Sequence, residues 1–82
     1  MTLDLDGPEP LYEQIAGVLA GRIVDGTYPP RRRIPSEMDI VTEFGVSRPT
    51  ARAAIQLLID RGLVVTVRGK GRYVTDADSP RT

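Results

Sequence analysis

Arg48 and Arg52 are the residues whose type and spacing point most directly to chemistry. Two permanently charged guanidinium groups four positions apart occupy neighbouring sites on one helical surface. They stand inside the stretch F-G-V-S-R-P-T-A-R, residues 44–52, which carries its own punctuation. Gly45 follows an apolar, helix-periodic segment and suits the left-handed conformation that closes a helix. Val46 is placed to fold back onto a core. Ser47 is a natural N-cap, because its hydroxyl can accept from a free first-turn amide. Pro49 follows where a missing N–H costs nothing. The stretch reads as two helices joined by a tight turn, a helix-turn-helix. A cationic helix N-terminus presented by such a turn suits the phosphates and base edges of a DNA major groove.

Other chemistries find little support in the composition. The chain has no Cys and no His. That removes disulfides, zinc sites of the Cys/His type, thiol nucleophiles and imidazole bases together. The best carboxylate pair, Asp4 and Asp6, has no partner base, so no enzyme, metal or cofactor is expected. Gly69-Lys70-Gly71 carries a lysine between glycines, but it lacks P-loop spacing and no helix pattern follows it. No apolar run reaches the roughly 18 residues of a membrane span, and the N-terminus lacks a signal pattern. A cytoplasmic protein with no membrane partner is the expectation.

The formal net charge is zero, yet the charges are segregated. Between Arg31 and Arg72 nine Arg/Lys residues face only Glu37, Asp39, Glu43 and Asp60, a local excess of five. Acids gather at Asp4, Asp6, Glu9, Glu13, Asp76 and Asp78 instead. Such a map can direct phosphate binding to one face.

The elements that position the arginines follow from periodicity. An 82-residue chain makes one small domain. Residues 1–8 are expected to be a flexible lead-in, 9–75 the domain, and 76–82 a flexible tail or the start of a linker. Leu11, Ile15, Val18, Leu19 and Ile23 recur at helical spacing from Pro10 to Asp25, and Gly26 is the stop. Gly17 and Gly21 share one side of this helix, which suggests close packing by another element. Three prolines between Thr27 and Pro35 forbid a helix. The Arg31-Arg32-Arg33 run inside this loop is either a solvated flank of a hydrophobic anchor or a set of nonspecific phosphate contacts. A short strand pairing is expected near Arg33 and Ile34.

Ser36 opens a second helix in an S-x-x-D arrangement resembling a capping box. Met38, Ile40, Val41 and Phe44 are assigned to its buried face. The third helix runs from about Arg48 to Arg61 with the stripe Ala51, Ala54, Ile55 and Leu58. Pro49, Arg52, Ala53, Gln56 and Asp60 fall on the opposite face, with Arg48 at its edge. After Gly62 the period changes to two. Residues 63–68 and 72–75 read as strands around a Gly-Lys-Gly turn, a hairpin with a basic tip.

Helix, extended loop, helix, turn, helix, basic hairpin is the order of a mainly α, three-helix winged helix-turn-helix. The residues themselves go further. Pro10-Leu11-Tyr12, Gln14-Ile15, Pro35-Ser36-Glu37, Phe44 to Thr50 with Arg52, Gly62-Leu63-Val64 and Arg68 to Gly71 resemble the DNA-binding domain of the GntR family of bacterial transcription regulators. The resemblance implies double-stranded DNA as the partner, and a repressor as the function. It carries over Arg48 and Arg52 as recognition-helix arginines, with Ser47, Pro49 and Thr50 beside them. It also carries over Arg68, Gly69 and Lys70 as the wing tip at the minor groove, and Ser36 and Glu37 at the start of the helix across the backbone. Met38 departs from the pattern, because an arginine often stands there in the family. Family members usually continue into a dimerising domain that binds a small effector. The resemblance therefore implies a dimer in an intact regulator, and a monomer or weak dimer for this domain alone. The competing expectation is a winged helix that binds a protein partner.

Overall fold

The structure, a computed structural model, describes residues 10–75. Three helices come first: α1 (Leu11–Val24), α2 (Glu37–Phe44) and α3 (Arg48–Asp60). A hairpin of β1 (Val64–Val67) and β2 (Gly71–Val74) completes the fold. The strands are antiparallel, with Val64 opposite Val74 and Val67 opposite Gly71. The mainly α, three-helix winged architecture expected from the sequence is the one observed.

Both capped helix starts form as their sequences require. Ser36 Oγ accepts from the Asp39 amide at 3.1 Å, and the Asp39 carboxylate accepts from the Ser36 amide at 3.0 Å. This reciprocal capping box satisfies two otherwise free donors and fixes where α2 begins. The shorter Asp side chain therefore closes the box as a Glu would.

One core holds the helices against the hairpin. Ile15, Ala16 and Leu19 of α1 meet Ile40 of α2 and Ala51, Ala54, Ile55 and Leu58 of α3. Ile34, Val64 and Val74 close it from the loop and the hairpin. Leu57 and Ile59 flank the α3 stripe, half-buried against the same cluster. Burial of an aliphatic side chain stabilises by about 1.5–3 kcal/mol. The loop enters through its backbone: the Ile34 amide donates to the Arg72 carbonyl at 3.0 Å, and the Val74 amide to the Arg32 carbonyl at 2.8 Å. The expected pairing near Arg33 and Ile34 thus covers the outer edge of β2, through a bridge between Arg33 and Tyr73.

Two expectations fail. Nothing lies within 4 Å of the position a Cβ would take at Gly17 or Gly21, so no described element packs closely there. Helical spacing showed that the two share a face but not that the face is open. Met38 is 50% exposed and not in the core. It sits in the first turn of α2, outside the arc that Ile40 turns inward.

A polar lock joins the far ends of α1 and α2. Arg22 Nη1 donates to Tyr28 Oη at 2.6 Å and to Glu43 Oε1 at 3.2 Å, and Nη2 pairs with Glu43 Oε2. The guanidinium also lies 5.7 Å from the Phe44 ring centroid. The hydrogen bond from Arg22 holds the Glu43 carboxyl below its ordinary range.

Leu58→Ala, which empties a fully buried site, is expected to destabilise the domain by about 2–5 kcal/mol in urea unfolding. The Glu43 carboxyl has a lower pKa folded than unfolded, so its stabilisation is present above about pH 4.5 and fades as pH falls through the folded value. Both partners are partly solvated, so the pair contributes only about 0.2–1 kcal/mol. Thermal melts from pH 7 to pH 3 should show a shallower acid loss for Glu43→Gln than for the parent chain. Equal slopes would mean that the pair contributes nothing.

Candidate nucleic-acid interface

The turn that presents α3 is built from three backbone decisions. Gly45 adopts φ 66° and ψ 39°, and its amide closes α2 on the Val41 carbonyl at 2.9 Å. Ser47 is extended at φ −73° and ψ 162°, and its Oγ accepts from the Thr50 amide at 3.3 Å. Pro49 lies in the first turn, where its missing donor leaves nothing unsatisfied. Arg48 and Arg52 emerge side by side, both exposed. Pro49, Gln56 and Asp60 share that exposure, while Ala53 is half-buried. Gln56 Nε2 donates to Asp60 Oδ1 at 2.9 Å, one turn along the same face.

Glu37 is the meeting point of three elements. Its side chain is only 15% exposed although it opens α2. Arg52 Nε reaches Glu37 Oε2 at 3.1 Å and Arg52 Nη2 reaches Oε1 at 3.4 Å. From the hairpin, Arg72 Nη2 approaches the same carboxylate at 3.6 Å. The Arg52 hydrogen bond, with Arg72 and Arg48 nearby, holds the Glu37 carboxyl below its ordinary range. The same pairing raises Arg52.

The wing tip is a turn of exposed residues: Arg68, Gly69 at φ 78°, and Lys70. It is braced from the loop. Arg33 donates through Nη2 to the Lys70 carbonyl, and its guanidinium lies 5.9 Å from the Tyr73 ring centroid. A Cβ at Gly71 (φ 118°) would sit 3.3 Å from Arg33 Nε, so a glycine there lets the arginine cross the hairpin. Within the triple-arginine run, Arg31 takes a left-handed φ of 69° to donate its amide to the Val74 carbonyl, and its side chain stays exposed with that of Arg32.

Arg48, Arg52 and Glu37 therefore converge, with the hairpin beside them. Ser36 and Ser47 use their hydroxyls as caps, and Thr50 Oγ1 lies 3.0 Å from Ser47 Oγ. Sequence reading missed Arg72. Period-two alternation places it on the face of β2 shared with buried Val74, a signal that was present but carries no partner. Among the described residues no carboxylate cluster of metal-binding form occurs, and no helix is long and apolar enough to cross a membrane.

These features define a winged helix-turn-helix with an arginine-bearing third helix. The family model for bacterial regulatory proteins of the gntR family matches residues 11–74, and the chain belongs to that family. It is 38% identical over 71 residues to the histidine utilization repressor of Pseudomonas putida, covering 87% of this chain and 29% of that protein. It is 39% identical over 70 residues to the mannosyl-D-glycerate transport/metabolism system repressor MngR of Escherichia coli, covering 85% of this chain and 29% of MngR. The chain thus spans under a third of the length of these relatives, which are transcriptional regulators. Among solved structures, the DNA-binding domain of AraR in complex with operator ORX1 superposes with a TM-score of 0.80 at 34% identity. That match covers 92% of this chain and 96% of the AraR domain.

Arg33→Ala should loosen the wing without touching α3. Amide hydrogen exchange at Lys70 to Arg72 is expected to accelerate by about tenfold or less, the scale of one lost hydrogen bond. Unchanged exchange there would show that the arginine does not brace the hairpin.

Proposed function

We propose that this chain is the sequence-specific, double-stranded DNA-binding module of a bacterial transcriptional repressor, acting in the cytoplasm and without catalytic activity of its own. The observation that carries this reading is the open face of α3. Arg48 and Arg52 stand on it behind a capped turn, with the basic hairpin on the same side through Arg72 and Glu37. In this reading α3 enters the major groove and its arginines meet guanine O6 and N7, each good bidentate contact discriminating by about 1–3 kcal/mol. Ser36, Ser47, Pro49 and Thr50 lie where helix N-termini approach phosphates. Arg68, Gly69 and Lys70 reach toward the adjacent minor groove, and Arg31 and Arg32 add phosphate attraction from the loop. Arg33 contributes through the wing it braces.

The repressor assignment draws on the curated relatives, and operator DNA on AraR. A protein-binding winged helix would offer apolar anchors on α3. Among the described residues the large exposed apolar side chains are Val24, Met38, Val65 and Val67, all on other elements. A regulator assembled as a dimer would read a two-fold site with half-sites about one helical turn apart or less. A small effector would act on this module only in a regulator that carries a further, C-terminal domain.

Selection from a randomised duplex library should enrich a defined motif. Arg52→Ala is then expected to bind the selected site about 5- to 150-fold more weakly, with its melting curve little changed. Lys70→Ala should weaken all duplexes alike and lower the slope of log K against log salt by about 1. Undiminished binding by Arg52→Ala would remove α3 as the reading element.

A further inference from the structure

We propose that Glu37 is a positioning residue for base readout: it grips the inner edge of the Arg52 guanidinium, is steadied by Arg72 of the wing, and leaves the outer edge set for a guanine. The inference rests on the DNA-binding reading above and goes beyond it by assigning what fixes the reading arginine. A guanidinium offers five donors in a planar fork. Arg52 uses Nε and Nη2, the side edge, on the two oxygens of Glu37. Nη1 and the second Nη2 hydrogen remain, and among the described residues no other hydrogen bond of Arg52 occupies them. That terminal edge is the pair of donors which matches O6 and N7 of guanine. Arg52 is 63% exposed, so the edge is open to solvent while the side chain is tethered.

Stability does not account for this arrangement. The Arg52 side of the pair is 63% exposed, and a pair solvated on one side contributes only modestly to folding. A carboxylate beside the recognition arginines also weakens attraction to phosphate, which disfavours nonspecific DNA. Both effects raise the ratio of specific to nonspecific binding, one by holding Arg52 ready and the other by penalising binding that lacks base contacts. Arg72 matters because it comes from β2 while Arg52 comes from α3. The carboxylate between them ties the orientation of the reading side chain to the wing.

Glu37→Gln tests this directly, since it keeps the shape and removes the charge. The parent chain, Glu37→Gln and Arg52→Ala are each taken through selection on a randomised duplex library, with affinities measured for the selected site and for a scrambled duplex. The expected result is a guanine position in the parent motif that Arg52→Ala no longer prefers. At that position Glu37→Gln loses about 2- to 12-fold of preference, the scale of leaving one long side chain unordered. Its affinity for scrambled duplex rises roughly 2- to 5-fold, the scale of one like charge removed from beside phosphate. A merely structural role would lower both affinities together, and that outcome overturns the proposal. So does full guanine preference in Glu37→Gln, or an intact preference in Arg52→Ala. A parent chain that enriches no motif overturns the DNA-reading function itself, and this proposal with it. A second measurement does not depend on the variant folding. In the free parent chain the Arg52 Nε–H resonance should move on acidification in step with the Glu37 carboxyl, and an Nε–H signal indifferent to that titration rejects the clamp.

Discussion

The burial of one narrow stripe of α3 is the constraint on which the rest of the structure depends. Ala51, Ala54, Ile55 and Leu58 are all buried, and two of the four are alanines. Ala51 and Ala54 leave room in that stripe, so Ile15 and Leu19 of α1 and Ile40 of α2 share one core with Ile55 and Leu58. Leu57 and Ile59 flank the stripe half-buried, and the side that stays exposed carries Arg48, Pro49, Arg52, Gln56 and Asp60. The turn before α3 then decides which side is free. Gly45 in its left-handed conformation and Ser47 in its cap set the rotation of the helix about its axis, and so the direction in which Arg48 and Arg52 leave it.

A second constraint is electrostatic. The chain has no net charge, and among the described residues the basic face depends on local pairing of its acids. Glu43 is held by Arg22 at the far end of α2, and Asp39 is spent on the capping box. Glu37 is an acid kept among the arginines of the candidate interface and lowered in pKa by them, while Asp60 stands further along the same face of α3, bonded to Gln56. The hairpin is tied to the same region by Arg72, and its tip is held by Arg33 from the loop. Wing and recognition helix are therefore one connected surface.

Much of this was legible in the sequence because its signals are local. Gly45, Ser47 and Pro49 announce their turn by residue type, and Ser36 with Asp39 announces the capping box. Valine alternation around Gly69-Lys70-Gly71 announces the hairpin. What was not legible depends on which surface meets which. Gly17 and Gly21 share a face of α1 by spacing, but spacing does not reveal that no described element packs on it. Met38 fits the apolar side of α2 by type, yet its turn projects it outward. The bond from Arg33 to the Lys70 carbonyl spans 37 positions, and the pair of Glu37 with Arg52 spans 15. Long charged side chains reach such partners only once the fold exists, so no periodicity encodes them.

The most direct measurement is an amide chemical-shift titration of the 82-residue chain with a mixed-sequence duplex at low salt, repeated as salt is raised. Shifts clustered at Ser47 to Arg52 and at Arg68 to Gly71, fading with salt, are the expected result for a surface that docks α3 and the wing on DNA. Shifts confined to Arg31 to Arg33, or gathered around Val24, Val65 and Val67, would contradict it and move the binding surface off α3.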